Sequence, residues 1–105
     1  MIKILKEYEG FDWNKGTINK NYRKHKVRNV ECEEVYFNLP LIIADDPEHS
    51  EKELRYYVLG RTEENRYLFI SFTIRKKLIR IISARDMNKR ERKIYEQKIK
   101  SYTDI

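Results

Sequence analysis

The sequence predicts an α+β fold in which helices precede a mostly antiparallel sheet of three to four strands and a further helix follows the sheet. Three observations lead to this prediction. Apolar runs of strand length follow one another in the second half of the chain, helical patterns flank them on both sides, and a short basic turn joins the last two runs. The length of 105 residues fits one domain, residues 1–105, with one core.

The first quarter of the chain predicts a strand and a helix. Residues 2–8 alternate partly between apolar and polar side chains and predict an opening strand, and the stretch FDWN at 11–14 then breaks this pattern. Asn14 can cap a helix through its side-chain oxygen, and this helix would run to about His25. Its apolar stripe would hold Ile18, Tyr22 and His25.

A second helix and an apolar strand follow. The helix fits Val30 to Phe37, with Asn29 as its cap and Pro40 as its stop, since proline lacks the amide that a helix interior needs. Leu39 to Ala44 is a compact apolar run and predicts a strand. The polar, acidic segment 45–50 predicts a loop between this strand and the next.

Three consecutive runs predict the main part of the sheet. They span Leu54 to Arg61, Tyr67 to Ile74 and Leu78 to Ala84, and the middle run is almost wholly apolar or aromatic, as a central strand should be. Arg75-Lys76-Lys77 is short enough to join the last two runs as a tight hairpin. We therefore expect these two strands to be antiparallel.

The last helix is predicted to begin with a side-chain cap. Asn88 can cap it, and Glu91, three residues later, can reach back to the amide of Asn88 in a variant of the capping box. Its apolar stripe would consist of Tyr95, Ile99 and Tyr102.

Composition indicates a folded basic domain. Hydrophobic residues make up 40% and charged residues 38%, and the apolar ones cluster in runs, which argues against disorder. A net charge of +6, a pI of about 9.4 and 8 tyrosines suit a phosphate-rich partner or an acidic protein. The opening sequence MIKILKEYEG lacks a signal peptide's apolar stretch, and no run approaches the roughly 20 residues that span a membrane. The single cysteine, Cys32, fits a reducing cytoplasm, and two distant histidines make a structural zinc site unexpected.

The segment from Ile79 to Tyr95 is the most informative part of the chain, because it places arginines in an apolar strand. Arginine is costly to bury unpaired, so these arginines predict a surface or cleft that an anion can reach, or else pairing with the chain's own carboxylates. Regular alternation puts Arg80 on one face of the strand and Ser83 and Arg85 on the other. Both arginines can face one cleft only if the strand ends or bulges before Arg85, and we expect it to end near Ser83 or Ala84.

An ordered set of short motifs covers most of the chain. It comprises Phe11-Asp12-Trp13-Asn14, then Asn21, Lys24-His25 and Val27, then Glu33-Glu34-Val35 and Phe37, then His49-Ser50, Glu53, Arg55 and Gly60, then Thr73, Arg75 and Arg80-Ile81-Ile82-Ser83-Ala84-Arg85, and finally Glu91-Arg92 with Tyr95. In this set the chain resembles the BrnT toxins of bacterial type II toxin–antitoxin systems, which look like compact relatives of RelE-type ribonucleases. The resemblance implies a RelE-like fold, ribonuclease activity that inhibits translation and growth, and neutralisation by a ribbon-helix-helix antitoxin of the BrnA type.

One departure from the family pattern concerns the end of the first helix. Lys26 stands where the family usually has a glycine after the histidine. Because glycine adopts the left-handed conformation that ends many helices, we expect this chain to end the helix less comfortably.

Metal-independent RNA cleavage needs a base for the 2′-hydroxyl, an acid for the leaving 5′-oxygen and cations around the phosphorane. Candidates occur at workable spacing. Glu53, Arg55 and Tyr57 would alternate onto one face of a strand, and His49 lies in the loop that leads into it. The remaining candidates come from neighbouring strands or their ends, with Arg85 expected to turn inward: Arg75, Arg80 and Arg85.

Each candidate also has a structural interpretation. Glu53 could be the base or the ion-pair partner of an arginine, and His49 could be an acid, a phosphate ligand or a solvated side chain. His25 suits a helix end, where an imidazolium is favoured by the dipole, and Trp13 suits the core better than a base-stacking platform. The basic pairs of the last helix form a solvated face or guide RNA by charge: Lys89, Arg90, Arg92 and Lys93.

The prediction as a whole is a cytoplasmic, metal-independent endoribonuclease toxin that uses no cofactor. Its expected partners are an RNA substrate and a BrnA-like ribbon-helix-helix antitoxin, with operator DNA contacted through that antitoxin alone and no membrane. The alternatives are a basic RNA-binding module without catalysis and a module that only docks an antitoxin. The RNA-binding module would tolerate loss of Glu53 and His49, whereas the ribonuclease would not.

Overall fold

The computed structural model describes residues 9–13, 19–49 and 52–103. These residues form five strands and three α-helices in the order β1 (Gly10–Phe11), α1 (Lys20–His25), α2 (Asn29–Val35), β2 (Ile42–Asp45), β3 (Tyr56–Arg61), β4 (Tyr67–Arg75), β5 (Leu78–Asp86) and α3 (Lys89–Thr103). A short 3-10 helix, Pro47–His49, lies between β2 and β3. The predicted opening strand at 2–8, the cap Asn14 and the stripe residue Ile18 lie outside the described residues.

The strands form one mixed sheet in the order β1-β5-β4-β3-β2. All neighbours are antiparallel except β1, which runs parallel to β5. The α+β class and the mostly antiparallel sheet are therefore confirmed, whereas the expected three to four strands become five. The strand that the sequence did not predict is β1, whose two residues, Gly10 and Phe11, are too few to show an alternation.

The β4–β5 hairpin is confirmed, and its turn consists of Lys76 and Lys77 alone. Their φ angles are 50° and 67°, so both residues are left-handed. Two such residues form the turn whose twist matches that of antiparallel strands. The tight turn lets β4 extend to Arg75 and β5 begin at Leu78, which pair directly with each other.

A β-bulge divides β5 into two parts. Ser71 pairs with Ser83, yet the next residue of β4, Phe72, pairs with Ile81. Ile82 is therefore an extra residue in β5, and the alternation of side chains shifts by one residue beyond it. Ile81 is buried in the core beside Phe72, while Ser83 lies opposite Ser71 on the other face.

The bulge decides which face of β5 carries its two arginines. Arg80 pairs with Thr73 and Arg85 pairs with Phe69, and both pairs lie on the face opposite the buried Ile81. Arg80 and Arg85 thus share a face although they are five residues apart, through the bulge that the sequence allowed as one of two possibilities. The other possibility, the expected strand end near Ser83 or Ala84, was wrong, because β5 continues to Asp86.

The two faces of the sheet carry two apolar clusters. One face packs against α2 and the segment before it, with a cluster that includes Val27, Cys32, Val35, Val58, Leu68, Ile70, Phe72, Ile79, Ile81 and Ala84. Gly60 permits the close approach of α2, since a Cβ at this position would lie 2.5 Å from Cγ1 of Val35. Burial raises the pKa of the Cys32 thiol to about 12, so this cysteine is protonated at neutral pH.

The opposite face packs against α3 over only part of its area. Tyr95 is fully buried there, its ring lies 5.0 Å from that of Tyr67, and its hydroxyl donates to the carbonyl of Pro40 at 2.8 Å. Ile99 packs in the same cluster, as predicted. Tyr102, the third residue of the predicted stripe, is 45% exposed, so the stripe ends one turn earlier than expected.

Three predictions concern helix ends, and the structure confirms two of them. Asn88 and Glu91 form the predicted capping box of α3, with mutual hydrogen bonds of 2.8 and 2.9 Å. Lys26 ends α1 with a φ of 58°, the left-handed conformation expected to be uncomfortable without glycine. The predicted Asn29 cap of α2 was wrong, because α2 already includes Asn29 and the amide of Arg28 donates to the Glu31 carboxylate at 2.9 Å instead.

Two strand boundaries also differ from the prediction. β2 begins at Ile42 rather than Leu39. β3 begins at Tyr56 rather than Leu54, because the carbonyl of Leu54 accepts a hydrogen bond of 2.6 Å from the hydroxyl of Thr73 and the chain before Tyr56 lies outside the ladder. Glu53 and Arg55 therefore precede the strand on which they were predicted to alternate.

Arg66 joins three parts of the fold. Its guanidinium donates to the carboxylates of Asp86 at 2.7 Å and Glu31 at 3.2 Å, and to the carbonyl of Lys26 at 2.8 Å. The ion pair with Glu31 is the more protected one, because the Glu31 side chain is 11% exposed and that of Asp86 is 57% exposed. One side chain, which directly precedes β4, thus connects β5, α2 and the left-handed end of α1.

We expect Arg66→Ala to lower the free energy of unfolding by about 1 to 3 kcal/mol at neutral pH, since it leaves Glu31 partly buried without a cation. Hydrogen bonds from Arg66 lower the pKa of Asp86, and those from Arg28 and Arg66 outweigh burial to lower that of Glu31. Carboxyls with lowered folded pKa stabilise above their unfolded pKa and lose this effect as pH falls through the folded value. The difference between parent and variant should therefore shrink below about pH 4.

Urea unfolding at pH 7 and in acid measures both quantities. Arg23→Ala, which removes an exposed arginine of α1, is the matched control and should change stability little. An Arg66→Ala variant as stable as the parent at pH 7 would show that this network does not hold the elements together.

Candidate active site

A cleft of about 450 Å³ opens beside the start of β3 and the end of β4. Three stretches of chain form it: the 3-10 helix, the segment that precedes β3 and the last residue of β4. Its lining residues are Glu48, His49, Lys52, Glu53, Arg55 and Arg75. Four of the six predicted catalytic residues therefore lie together: His49, Glu53, Arg55 and Arg75.

His49 is oriented by a carboxylate. Its Nδ1 lies 3.0 Å and 3.2 Å from the two carboxylate oxygens of Asp46. The pairing follows from the local geometry, because residues three apart in a 3-10 turn lie on the same side. A carboxylate only accepts hydrogen bonds, so Nδ1 donates and Nε2 remains able to exchange a proton with a ligand. The histidine side chain is 60% exposed, which leaves that nitrogen open to the cleft and to solvent.

Glu53 is held by an arginine at the other side of the cleft. Nε of Arg75 donates to the Glu53 carboxylate at 2.8 Å. This hydrogen bond, followed by the charges of Arg75, Arg55 and Arg80, lowers the pKa of Glu53 below its ordinary value. Glu53 is thus a carboxylate at neutral pH, able to accept a proton and surrounded by cationic groups.

Arg80, on β5, lies near the cleft but is not one of its lining residues. It pairs with Thr73, which lies two residues before Arg75 on the same face of β4. The hydroxyl of Thr73 also holds the carbonyl of Leu54, so the segment that carries Glu53 is anchored over this part of the sheet. The charge of Arg80 acts on the Glu53 carboxyl, which places the guanidinium within electrostatic range of the predicted catalytic group.

Arg85 does not join Glu53 and Arg75, so its expected position was wrong. Its guanidinium forms two hydrogen bonds with the Glu91 carboxylate, of 2.8 and 2.9 Å, at the beginning of α3. Burial opposes ionisation of Glu91, but the hydrogen bonds from Arg85 and from the Asn88 amide lower its pKa overall. The carbon atom Cζ of Arg85 also lies 4.2 Å from the ring centre of Phe69.

The basic residues of α3 are exposed and do not line the cleft: Lys89, Arg90, Arg92 and Lys93. Cζ of Arg92 lies 5.8 Å from the centre of the Tyr67 ring. Among the described residues, the other three side chains form neither an ion pair nor a ring contact. This arrangement agrees with a solvated helix face that contributes positive charge at a distance.

His25 and Trp13 have structural surroundings. Trp13 packs against the core cluster, and its indole nitrogen donates to the Glu33 carboxylate at 2.8 Å. His25 is the last residue of α1, and its carbonyl accepts a hydrogen bond from Arg66. Both observations favour the structural interpretations of these residues over catalysis or base stacking.

Two contacts of the candidate site residues were not predicted from the sequence. Asp46 was assigned only to a loop, although its spacing of three residues before His49 is the signal for a pair across one tight turn. Glu91 was assigned only as a helix cap, and nothing in its spacing from Arg85 shows that it also binds the arginine. Lys52 and Glu48 complete the cleft lining and had no distinguishing pattern.

Among the described residues, no group of three or more histidine, cysteine, aspartate or glutamate side chains is arranged to hold a metal ion. Among the helices of the same part of the chain, none is both long and apolar enough to cross a membrane.

The cleft combines arginines, a carboxylate and an oriented histidine, which are groups able to bind a phosphate and to transfer protons. The sequence profile of one family, described as the ribonuclease toxin BrnT of type II toxin–antitoxin systems, matches residues 13–91. The chain is a member of this BrnT family of ribonuclease toxins, whose partner in each system is a cognate antitoxin. A search of curated proteins found no match.

The Glu53–Arg75 pair allows a direct test of the cleft geometry. We expect Arg75→Ala to raise the pKa of Glu53 towards its ordinary value, because both the hydrogen bond and the nearest positive charge are removed. Arg75→Lys should raise it less, since the charge remains without the guanidinium fork. A pH titration of the Glu53 carboxyl carbon by NMR measures the change.

The control variant for this titration is Arg23→Ala, which removes the same charge from the exposed surface of α1. It should leave the pKa of Glu53 unchanged, since no Arg23 contribution acts on that group. Equal Glu53 titration curves in the parent and in Arg75→Ala would contradict the described pair.

Proposed function

We propose that this protein is a metal-independent endoribonuclease that cleaves RNA by attack of the 2′-hydroxyl and thereby inhibits translation and growth. The observation that carries the proposal is the Glu53 carboxylate, held by Arg75 at 2.8 Å in a cleft that also contains the Asp46-oriented His49. A proton acceptor, a possible proton donor and phosphate-binding cations are the parts that this reaction needs.

The proposed reaction begins with Glu53. Its carboxylate takes the proton from the 2′-hydroxyl, and the 2′-oxygen forms a bond to the adjacent phosphorus. Protonated His49 then gives the proton of Nε2 to the 5′-oxygen as the phosphorus–oxygen bond breaks. The products are a 2′,3′-cyclic phosphate and a free 5′-hydroxyl. Because the nucleophile is the 2′-hydroxyl, DNA lacking this group would not be cleaved.

Arginines would stabilise the charge of the phosphorane. Arg75 and Arg80 lie on the same face of the sheet, and Arg55 lines the same cleft. Arg75 keeps part of its donor capacity when its Nε is bound to Glu53, since a guanidinium has five donors. Arg85 is included in the proposed site as a more distant contributor, because Glu91 already occupies its fork.

The exposed basic residues of α3 are proposed to attract RNA. They are Lys89, Arg90, Arg92 and Lys93. Exposed cations raise the rate of encounter with a polyanion, and their effect falls as salt screens them. They need not touch the reacting phosphate.

The partners are proposed from the family and the charge together. The antitoxin is proposed to be a BrnA-like ribbon-helix-helix protein that covers the basic cleft or its rim, and operator DNA would be contacted through that protein. The proposed fold assignment is RelE-like, and the proposed site of action is the cytoplasm, where RNA is translated. The alternative function is a basic RNA-binding or antitoxin-docking module without catalysis.

Cleavage of a defined RNA by purified protein, with and without excess EDTA, tests the proposal. We expect chelation to leave the rate unchanged and the products to carry cyclic phosphate ends. Glu53→Gln and His49→Ala should each lose about a hundredfold or more in rate while binding RNA. Loss of activity in EDTA that magnesium restores would contradict the metal-independent mechanism, and an inactive parent that still binds RNA would favour the non-catalytic alternative.

A second comparison concerns the two arginines of β5. Arg80→Ala should lower the cleavage rate by roughly hundred- to thousandfold, the effect of losing about 2 to 4 kcal/mol of transition-state stabilisation. Arg85→Ala should lower the cleavage rate less than Arg80→Ala does. It should lower the melting temperature more, since it breaks the ion pair with Glu91. Single-turnover cleavage and thermal unfolding of both variants separate these effects. A larger rate loss for a well-folded Arg85→Ala would place Arg85 at the phosphate instead.

A further inference from the structure

The sheet face that carries the cleft continues beyond it as a strip that α3 leaves partly open. Moving along β4 from Arg75, the same face presents Thr73, Ser71 and Phe69. Ser71 pairs with Tyr57 on one side and with Ser83 on the other. Four side chains of this strip are half-buried: Tyr57, Phe69, Ser71 and Ser83.

Aromatic and cationic groups are stacked at the far end of this strip. The rings of Tyr57 and Phe69 lie 5.4 Å apart with an interplanar angle of 20°, so they stack. Cζ of Arg85 lies 4.2 Å from the centre of the Phe69 ring. The fork with Glu91 fixes the guanidinium and compensates its charge, so Arg85 supports this ring directly and acts on a phosphate in the cleft only from a distance.

Tyr57 is therefore the terminal ring of a supported stack. Within the described part of the chain, Phe69 is the ring that stacks on it, and neither a second ring nor a cation is recorded against it. A half-buried ring with a rigid support resembles the platforms on which proteins stack single-stranded bases. The small side chains of Ser71 and Ser83 beside it leave room for a flat group and offer hydroxyls to its edge.

The distance to the cleft suits a substrate that occupies both places. Two residues along a strand span about 7 Å and two strand spacings about 10 Å. Tyr57 on β3 and Arg80 on β5 are separated by both, since Tyr57 pairs with Ser71, Arg80 pairs with Thr73 and β4 lies between them. Their Cα positions are therefore roughly 12 Å apart, which the long side chain of Arg80 and an adjoining nucleotide can span. A nucleotide whose phosphate lies at Arg80 could thus place a neighbouring base at Tyr57. An unpaired strand is required, because bases in a duplex have no free face.

We propose that Tyr57 is a base-stacking subsite that holds an unpaired nucleobase of RNA next to the phosphate bound in the cleft. This subsite rests on the proposed ribonuclease function for its substrate, and it assigns to Tyr57 a positioning role rather than a chemical one. By stacking on one base, Tyr57 fixes the position of the RNA strand. The position of that base then determines which phosphate lies in the cleft for cleavage.

The test is binding of a short single-stranded RNA with 2′-O-methyl groups throughout, which cannot be cleaved by 2′-hydroxyl attack. One abasic residue is moved along this oligonucleotide, and each version is titrated against the parent and against Tyr57→Ala, Tyr57→Leu, Tyr57→Phe and Tyr57→Trp. Tyr57→Leu retains apolar volume without a ring, which separates stacking from packing. Tyr22→Ala removes an exposed tyrosine of α1, outside the strip, and is the matched control.

Tyr57→Ala and Tyr57→Leu should weaken binding roughly 5- to 150-fold, the range observed for loss of one base–aromatic stack. Tyr57→Phe, Tyr57→Trp and Tyr22→Ala should bind nearly as the parent does. In the parent, the abasic residue should weaken binding strongly at one position, and this penalty should vanish in Tyr57→Ala. The same abasic profile in the parent and in Tyr57→Ala would overturn the proposal, since it would show that no base depends on the ring.

Cleavage of all-ribose RNA, measured in parallel, separates this subsite from the ribonuclease function. A parent that cleaves RNA but shows no coupling between Tyr57 and a base would overturn the subsite and leave the function intact. A parent that shows the coupling but cleaves nothing would support the subsite and contradict the ribonuclease proposal. In an active parent, Tyr57→Leu should raise KM more than it lowers kcat, because it disturbs positioning and leaves the proton-transfer groups in place.

Discussion

The extra residue Ile82 in β5 is the constraint on which the arrangement of the molecule depends. Without a bulge, strict alternation would place Arg80 and Arg85 on opposite faces, and one of them would enter the apolar core. With the bulge, Ile81 and Ala84 both face the core although they are three residues apart. The apolar side chains of β5 can therefore face the core while Arg80 and Arg85 both face the other side of the sheet.

The role of each arginine on or beside this sheet depends on the carboxylate with which it pairs. Arg66 binds two carboxylates and two carbonyls and joins elements of the fold. Arg85 is fixed by Glu91 against Phe69. Arg75 binds Glu53 at the open cleft, where the pair stays accessible to a ligand. The residue type is the same in each case, and the difference lies in burial and in the partner that the fold brings near.

The chemical groups on the sheet face that carries the cleft differ from one end to the other. At one end, His49, Glu53 and three arginines offer proton transfer and positive charge in the cleft or at its edge. At the other end, a charge-compensated stack terminates in Tyr57. The small side chains of Ser71 and Ser83 lie in the same row as Tyr57, next to the row of Thr73 and Arg80. Cationic groups followed by an aromatic ring suit a nucleic acid strand, in which phosphates and bases alternate. Membership of the BrnT toxin family points to RNA as that nucleic acid.

The sequence by itself determined the α+β class, the β4–β5 hairpin, the cap of α3 and the grouping of His49 with Glu53, because these depend on local patterns that neighbouring residues carry. It did not determine the two-residue strand β1, the bulge at Ile82 or the partner of Arg85. Each of these depends on contacts between segments distant in sequence or on the register of two strands, and alternation along one strand does not reveal where a partner strand omits a residue. Only the tertiary structure could therefore decide which arginines share a face and which of them the chain's own carboxylates occupy.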